Sequence, residues 1–236
     1  MKTKNITTKE IIIAIALIVF YFFSSVFQLV ILELLGIDYN NLGTLAKSIF
    51  GIITEFIILA IIIIPYRNEL KTSLKNFIEN KDEYFKKYFK YWLLMFAIMA
   101  LSNTLILALK GTDTGTSVNE DIIRQQFMAT PIYIYISAVI IAPIMEELIF
   151  RRCLRSIFHT NKIVYIIMSA LVFGFVHLLA GITSPIDLLY LIPYGTPGAI
   201  FAYLYVKSDN IMVPMSIHIM HNGIQMSIQA LLLLLG

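Results

Sequence analysis

At 236 residues, 58% hydrophobic and 14% charged, the chain departs from soluble domains, which are about 45 to 50% apolar and about 25% charged. A net charge of +3 is too small to mark a nucleic-acid binder, and a single cysteine, Cys153, rules out an intramolecular disulfide and a CxxC motif. What is left is a membrane protein, and apolar runs recurring from end to end read most simply as one helical bundle, with Cys153 a small packing residue.

In chain order, Lys2, Lys4 and Lys9 precede an apolar run from Ile11 to about Gly36. That run exceeds a signal-peptide core of about 7 to 15 residues, so it is expected to be a retained first span. With about 20 apolar residues needed per crossing, spans are expected at 11–34, 48–66, 91–109, 131–155, 163–180, 186–206 and 211–235. The fold class is therefore an all-α, polytopic bundle of about seven transmembrane helices. The count becomes eight if Pro193, Pro197, Gly198 or Pro214 splits one of the last spans.

Lys and Arg concentrate in cytoplasmic loops. With the N-terminus inside, 15 of the 18 Lys and Arg fall on the inner side, and only Lys47, Lys110 and Arg124 on the outer. Two stretches look interfacial. In "NELKTSLKNFIENK", Leu70, Leu74, Phe77 and Ile78 share a helical face with Lys71 and Lys75 beside it, as in a helix lying on the inner leaflet; the alternative is a solvated loop helix. In "SVNEDIIRQQF", Ser117 and Glu120 have capping-box spacing and Ile123 pairs with Phe127, which suits a helix capping the outer side. The whole is expected to be one membrane domain, 1–236, in which 1–125 holds the N-terminal helices with the inner interfacial helix and 126–236 the catalytic core.

A charge in the bilayer centre costs about 2.5 to 3.5 kcal/mol on insertion scales, so each buried polar group needs a reason. "IAPIMEELIFRR" places Glu147 and Arg151 one turn apart, able to neutralise each other, either as a structural ion pair or as support for a site. Glu146, about 100° round the helix, lacks that partner. With a turn centred near residue 161, Glu146 lies 15 positions before it and His177 lies 16 after. Equal depth, about 22 to 24 Å, lets them face each other in an antiparallel pair. Phe173 shares the His177 face.

On the last span His218 and Asn222 are one turn apart, about 12 and 18 Å deep. A lone membrane histidine is often a helix-bridging donor, and His221 suits packing or an interface. Glu55 has no partner visible in the sequence and is open to a structural or a cavity role. Glu33 and Asp187 lie near the outer interface.

Such groups suit hydrolysis. A carboxylate in a low-dielectric pocket becomes a general base near neutral pH, and histidine and amide donors can hold an oxyanion. GxSxG is absent, and Cys153 stands about two turns from Glu146, so neither a serine nor a cysteine nucleophile is supported.

Glu146-Glu147-x-x-x-Arg151, Phe173-x-x-x-His177 and His218-x-x-x-Asn222 resemble the three motifs of the CPBP family, the CAAX-protease and bacteriocin-processing or Abi group of intramembrane glutamate endopeptidases. The match covers about 142–223. The resemblance implies that Glu146 activates water, His177 holds that water, and His218 and Asn222 form the oxyanion hole, with Glu147, Arg151 and Phe173 supporting. It implies no metal and no other cofactor, membrane lipids as surroundings, and a peptide or lipidated peptide as substrate, cut near the cytosolic side. The short loops and the Met- and Ile-rich composition point to a bacterial cell membrane. Two alternatives stay open: a zinc-dependent intramembrane protease using Glu146, His177 and His218, and a non-enzymatic proton-coupled transporter or bacteriocin-immunity scaffold. Oligomeric state and substrate identity stay open as well.

Overall fold

A computed structural model describes residues 6–110 and 117–235; Lys2 and Lys4 of the charge tally lie outside them. Among the described residues the chain is helical with no strand. The helices are α1 (Thr8–Phe22), α2 (Ser24–Leu34), α3 (Thr44–Ile63), α4 (Arg67–Lys110), α5 (Val118–Ala129), α6 (Pro131–Ile157), α7 (Lys162–Leu178), α8 (Leu191–Ser208) and α9 (Met212–Leu235).

Local chemistry explains the boundaries. Thr7 and Glu10 close a capping box at the start of α1. The expected first span is in fact a pair of helices bent by 60° at Phe23. The Ser24 hydroxyl donates to the Tyr21 carbonyl at 2.7 Å, a back-bond that competes with the helix ladder there. Gly36, at φ 64°, ends α2 as the Ile37 N–H reaches the Leu32 carbonyl and the Gly36 N–H the Glu33 carbonyl, the Schellman arrangement.

Pro65 sits in a 3-10 turn (Ile64–Tyr66) joining α3 to α4. The helical run Thr44–Lys110 is 67 residues, about 100 Å at 1.5 Å per residue, too long for one crossing of a core about 30 Å thick. The expected interfacial segment and the span 91–109 belong to one helix, α4, which breaks only at Asn80 (φ −121°, ψ 16°). There the Asn80 amide donates to the Asn76 carbonyl at 2.9 Å. Before the kink, Leu74 and Ile78 are exposed.

Helix α6 matches its expected span and contains two π turns, Ser137–Ile141 and Leu148–Cys153. The first lies just before Pro143, which has no N–H to give and whose ring would clash with the Val139 carbonyl; widening the turn relieves both. Asn161 caps α7, its side chain accepting from the Ile163 and Val164 N–H groups at 2.9 and 3.2 Å. The span expected from 186 begins instead at Leu191, because Ser184 and Asp187 form a capping box that starts a separate 3-10 segment, Pro185–Tyr190. None of the four suspected breakers splits a helix. Pro193 and Pro214 fall in first turns, where their missing N–H is unneeded, and α8 runs on through Pro197 and Gly198.

Among the described residues, two helices are long and apolar enough to cross a membrane, Thr44–Lys110 and Pro131–Ile157, and the bent α1–α2 pair makes a third if it is one crossing; α7 is apolar but shorter. The chain divides into two compact units. The first comprises residues 1–67, 126–157 and 219–236, and the second 68–125 and 158–218.

Candidate active site

In the first unit α6 carries Glu146 and Glu147 on the short α-helical stretch between its two π turns. Glu147 and Arg151 are fully buried and paired at 3.1 Å, the ion pair expected from their spacing. Removing one member of such a pair costs about 3 to 5 kcal/mol, because the other charge stays behind in a low dielectric. Glu146 is half-buried.

Helix α1 packs on the second π turn. Tyr21 meets Phe150 edge-on at 5.6 Å, and Arg152, nearly buried, reaches Glu10 at 3.5 Å, donates to the Ser156 hydroxyl and lies 4.8 Å over the Tyr66 ring. Cys153 is buried against the Tyr66 hydroxyl at 3.3 Å, the packing role expected of it.

Asn222 also belongs to this unit. Its amide donates at 2.8 Å to the Ala138 carbonyl in the first π turn. A π turn shifts the hydrogen-bond ladder by one residue and leaves a carbonyl available. One of the two amide protons of Asn222 therefore holds α9 to α6. His221 is buried and bonds Gln225 at 3.0 Å, which suits packing.

Glu55, without a visible partner in the sequence, has two in the structure. The Tyr133 and Ser137 hydroxyls both donate to its Oε1 at 2.9 Å, while its Oε2 is buried with no hydrogen bond. Gly51 makes room for this, since a Cβ there would stand 2.6 Å from the Tyr133 hydroxyl.

The second unit brings together Phe173, His177 and His218. His177 Nδ1 lies 2.8 Å from the Phe173 carbonyl. A carbonyl can only accept, so Nδ1 carries a proton, and in the neutral ring Nε2 is then the acceptor. The ring packs against Phe173 at 4.5 Å and Tyr194, stacked at 4.8 Å and 22°. His218 is buried, with Phe201 at 4.9 Å and the edge of Phe173 at 6.1 Å. Sequence reasoning missed Tyr194. The signal was present, because His177 and Tyr194 stand near the facing ends of α7 and α8.

Small residues let α7 and α8 approach so closely. A Cβ at Gly198 would stand 2.7 Å from Ala170 Cα and 2.8 Å from the Ser169 carbonyl, and one at Gly174 would stand 3.2 Å from the Gly195 nitrogen. The Ser169 hydroxyl donates across the seam to the Gly198 carbonyl at 3.2 Å.

Beyond this seam the connection is anchored by Asp187, which is buried. It pairs with Lys110 at 2.7 Å and accepts from the Thr183 N–H and hydroxyl and the Ser184 N–H at 2.7 to 2.9 Å. Burial works to raise its pKa, but these partners outweigh burial and hold the carboxyl below the usual range. Ile106, Leu178 and Tyr190 form the apolar cluster beside it.

Residues 128–224 match the family described as type II CAAX prenyl endopeptidase Rce1-like, a stretch holding every motif residue named above. The resemblance to CAAX-type membrane proteases is therefore shown over that segment. Among curated proteins, the chain is 28% identical over 222 residues to "Membrane-embedded CAAX protease MroQ" of Staphylococcus aureus, covering 91% of this chain and 87% of that one. It is 33% identical over 108 residues to "Putative membrane peptidase YdiL" of Bacillus subtilis, covering 45% of this chain and 41% of that protein's length. It is 26% identical over 192 residues to "UPF0177 protein YvdC" of Lactococcus lactis, covering 78% and 71%. No solved structure matches the chain.

Proposed function

We propose that the chain is an intramembrane endopeptidase that cuts a peptide or lipidated peptide near the cytosolic side of a bacterial cell membrane. Glu146 acts as general base, taking a proton from water whose oxygen attacks the scissile carbonyl, and His177 Nε2 accepts the second O–H and aims the attack. His218 and the remaining Asn222 N–H hold the tetrahedral oxyanion. Glu146 then passes its proton to the leaving amine as the C–N bond breaks, giving a carboxylate and a free amine. Glu147 and Arg151, paired one turn apart on α6, support the geometry of that turn.

The observation that supports this reading is the His177 Nδ1 bond to the Phe173 carbonyl, which in the neutral ring leaves Nε2 as an acceptor, inside a segment matching a membrane-protease family. We also propose seven crossings with the N-terminus in the cytosol. The Lys and Arg asymmetry supports this, and α7, at 17 residues, is at the lower limit for a crossing.

The test is cleavage of a peptide library by protein reconstituted in vesicles. Glu146→Gln and His177→Ala are expected to lose at least about a hundredfold in kcat. Parent-like cleavage by either would end the peptidase reading in favour of a transporter or scaffold.

A further inference from the structure

We infer that Tyr194 is a positioning residue for His177, acting as a latch that carries the order of the α5 start into the imidazole; this rests on the function proposed above. The Nδ1 bond to the Phe173 carbonyl fixes which nitrogen is protonated, but a single hydrogen bond lets a ring rock about its axis. Rocking is limited by what packs against the ring. Phe173, on the histidine's own helix, contacts the ring at a 44° tilt, which constrains it loosely. Tyr194 stacks on it nearly parallel, at 22°, from a different helix.

The position of Tyr194 is itself fixed from three sides. Its backbone is seated by the seam in which Gly195 stands against Ala170 and Gly174, so the ring cannot withdraw without parting α7 from α8. Its hydroxyl meets the Ser117 hydroxyl and lies 3.5 Å from the Asn119 amide, both at the α5 start. Ser117 also accepts from the Glu120 N–H at 3.2 Å, so the same hydroxyl that begins α5 holds the tyrosine. Below the ring, Tyr190 stands 6.4 Å away and is packed against Ile106 and Leu178. A tyrosine used only to fill space would not need a hydroxyl held by two polar residues more than 70 positions away in the chain.

The arrangement predicts a division of labour that a packing role does not. Tyr194→Phe keeps the stack and loses the tether, whereas Tyr194→Leu loses both. With reconstituted full-length protein and a cleavable peptide from the library, Tyr194→Leu is expected to lower kcat by about ten- to a hundredfold, the range for a misplaced catalytic group, with KM within about twofold. Tyr194→Phe should recover most of that loss, and Ser117→Ala/Asn119→Ala should match Tyr194→Phe.

The independent readout is the ring-nitrogen NMR signal of His177 in protein labelled with 15N-histidine, assigned by loss of the signal in His177→Gln. The parent should show one tautomer protonated at Nδ1, and Tyr194→Leu a tautomer mixture. If Tyr194→Leu does not fold, Tyr194→Met, which also removes the stacked ring, carries the same test. A parent-like His177 signal in a folded variant that lacks the stack would overturn the latch whatever the kinetics. Because that signal does not depend on turnover, a changed signal in a protein that cleaves nothing would uphold the latch while the peptidase reading falls.

Discussion

The Glu147–Arg151 turn of α6 and the α7–α8 seam solve the same problem by different physics. Each must hold a polar group inside an apolar helix. The turn does it with charge, as two full charges one helical turn apart neutralise each other with no exposure. The seam does it with shape: a histidine satisfies one nitrogen on a backbone carbonyl and packs against two rings, on helices that glycines allow to touch. Charge pairing is local and readable from spacing, but it is intolerant of losing a partner. Shape is non-local, and it fails at the glycines rather than at the histidine.

The comparison can be broken most sharply at Arg151. Arg151→Met leaves Glu147 buried alone and is expected to cost about 3 to 5 kcal/mol, read as a fall in thermal unfolding temperature in detergent. Replacing both residues with apolar ones of similar volume should recover most of that loss, since paired buried charges contribute little net stability. A double variant as unstable as the single one would show that the charges do more than cancel.

On the seam, Gly198→Val puts carbon atoms against the Ala170 backbone, and overpacking of about 1 to 3 kcal/mol is expected in the same assay. Gly174→Ala should cost less, because the atom met first, at 2.7 Å, is the Leu191 methyl, which can swing aside. Equal losses at both positions would contradict a seam set by backbone approach.

Smaller effects are expected from the neutral hydrogen bonds that support each region. Ser137→Ala removes one of the two donors to Glu55 and should cost about 0.5 to 1.5 kcal/mol. At Asp187 the expectation concerns pH. Its folded pKa lies below the unfolded value of about 4, so its contribution is present in full above about pH 5 and fades as the pH falls through the folded value. The stability gap between the parent and Asp187→Asn should therefore be flat from pH 7 to about pH 5 and narrow below about pH 4. A gap that closes near neutrality would place the carboxyl outside its network.

What could be read from the sequence follows the same divide. Spacing of three or four residues on one helix identified Glu147 with Arg151 and Phe173 with His177, because helix geometry makes those contacts local. Tyr194 with Ser117, Tyr133 with Glu55 and Lys110 with Asp187 are separated by more than 70 residues, and no single-helix pattern encodes them. Helix boundaries were read well where capping chemistry agreed with hydropathy, as at Asn161. They were misplaced where it overrode hydropathy, as at Ser184, and the prolines misled because their cost depends on position within the first turn.

The two wide turns of α6 have a consequence for its angular phase. Each accommodates one residue more than a regular helix would, about 100° of rotation, so the side chains before Ser137, those between the turns and those after Cys153 follow three different phases. Counting residues on a helical wheel across either turn therefore assigns the wrong side of the cylinder. Shortening Leu148–Cys153 by one residue would keep every functional group in the chain, yet swing the acidic pair through more than a quarter circle relative to the helix end that Arg152 fastens to α1.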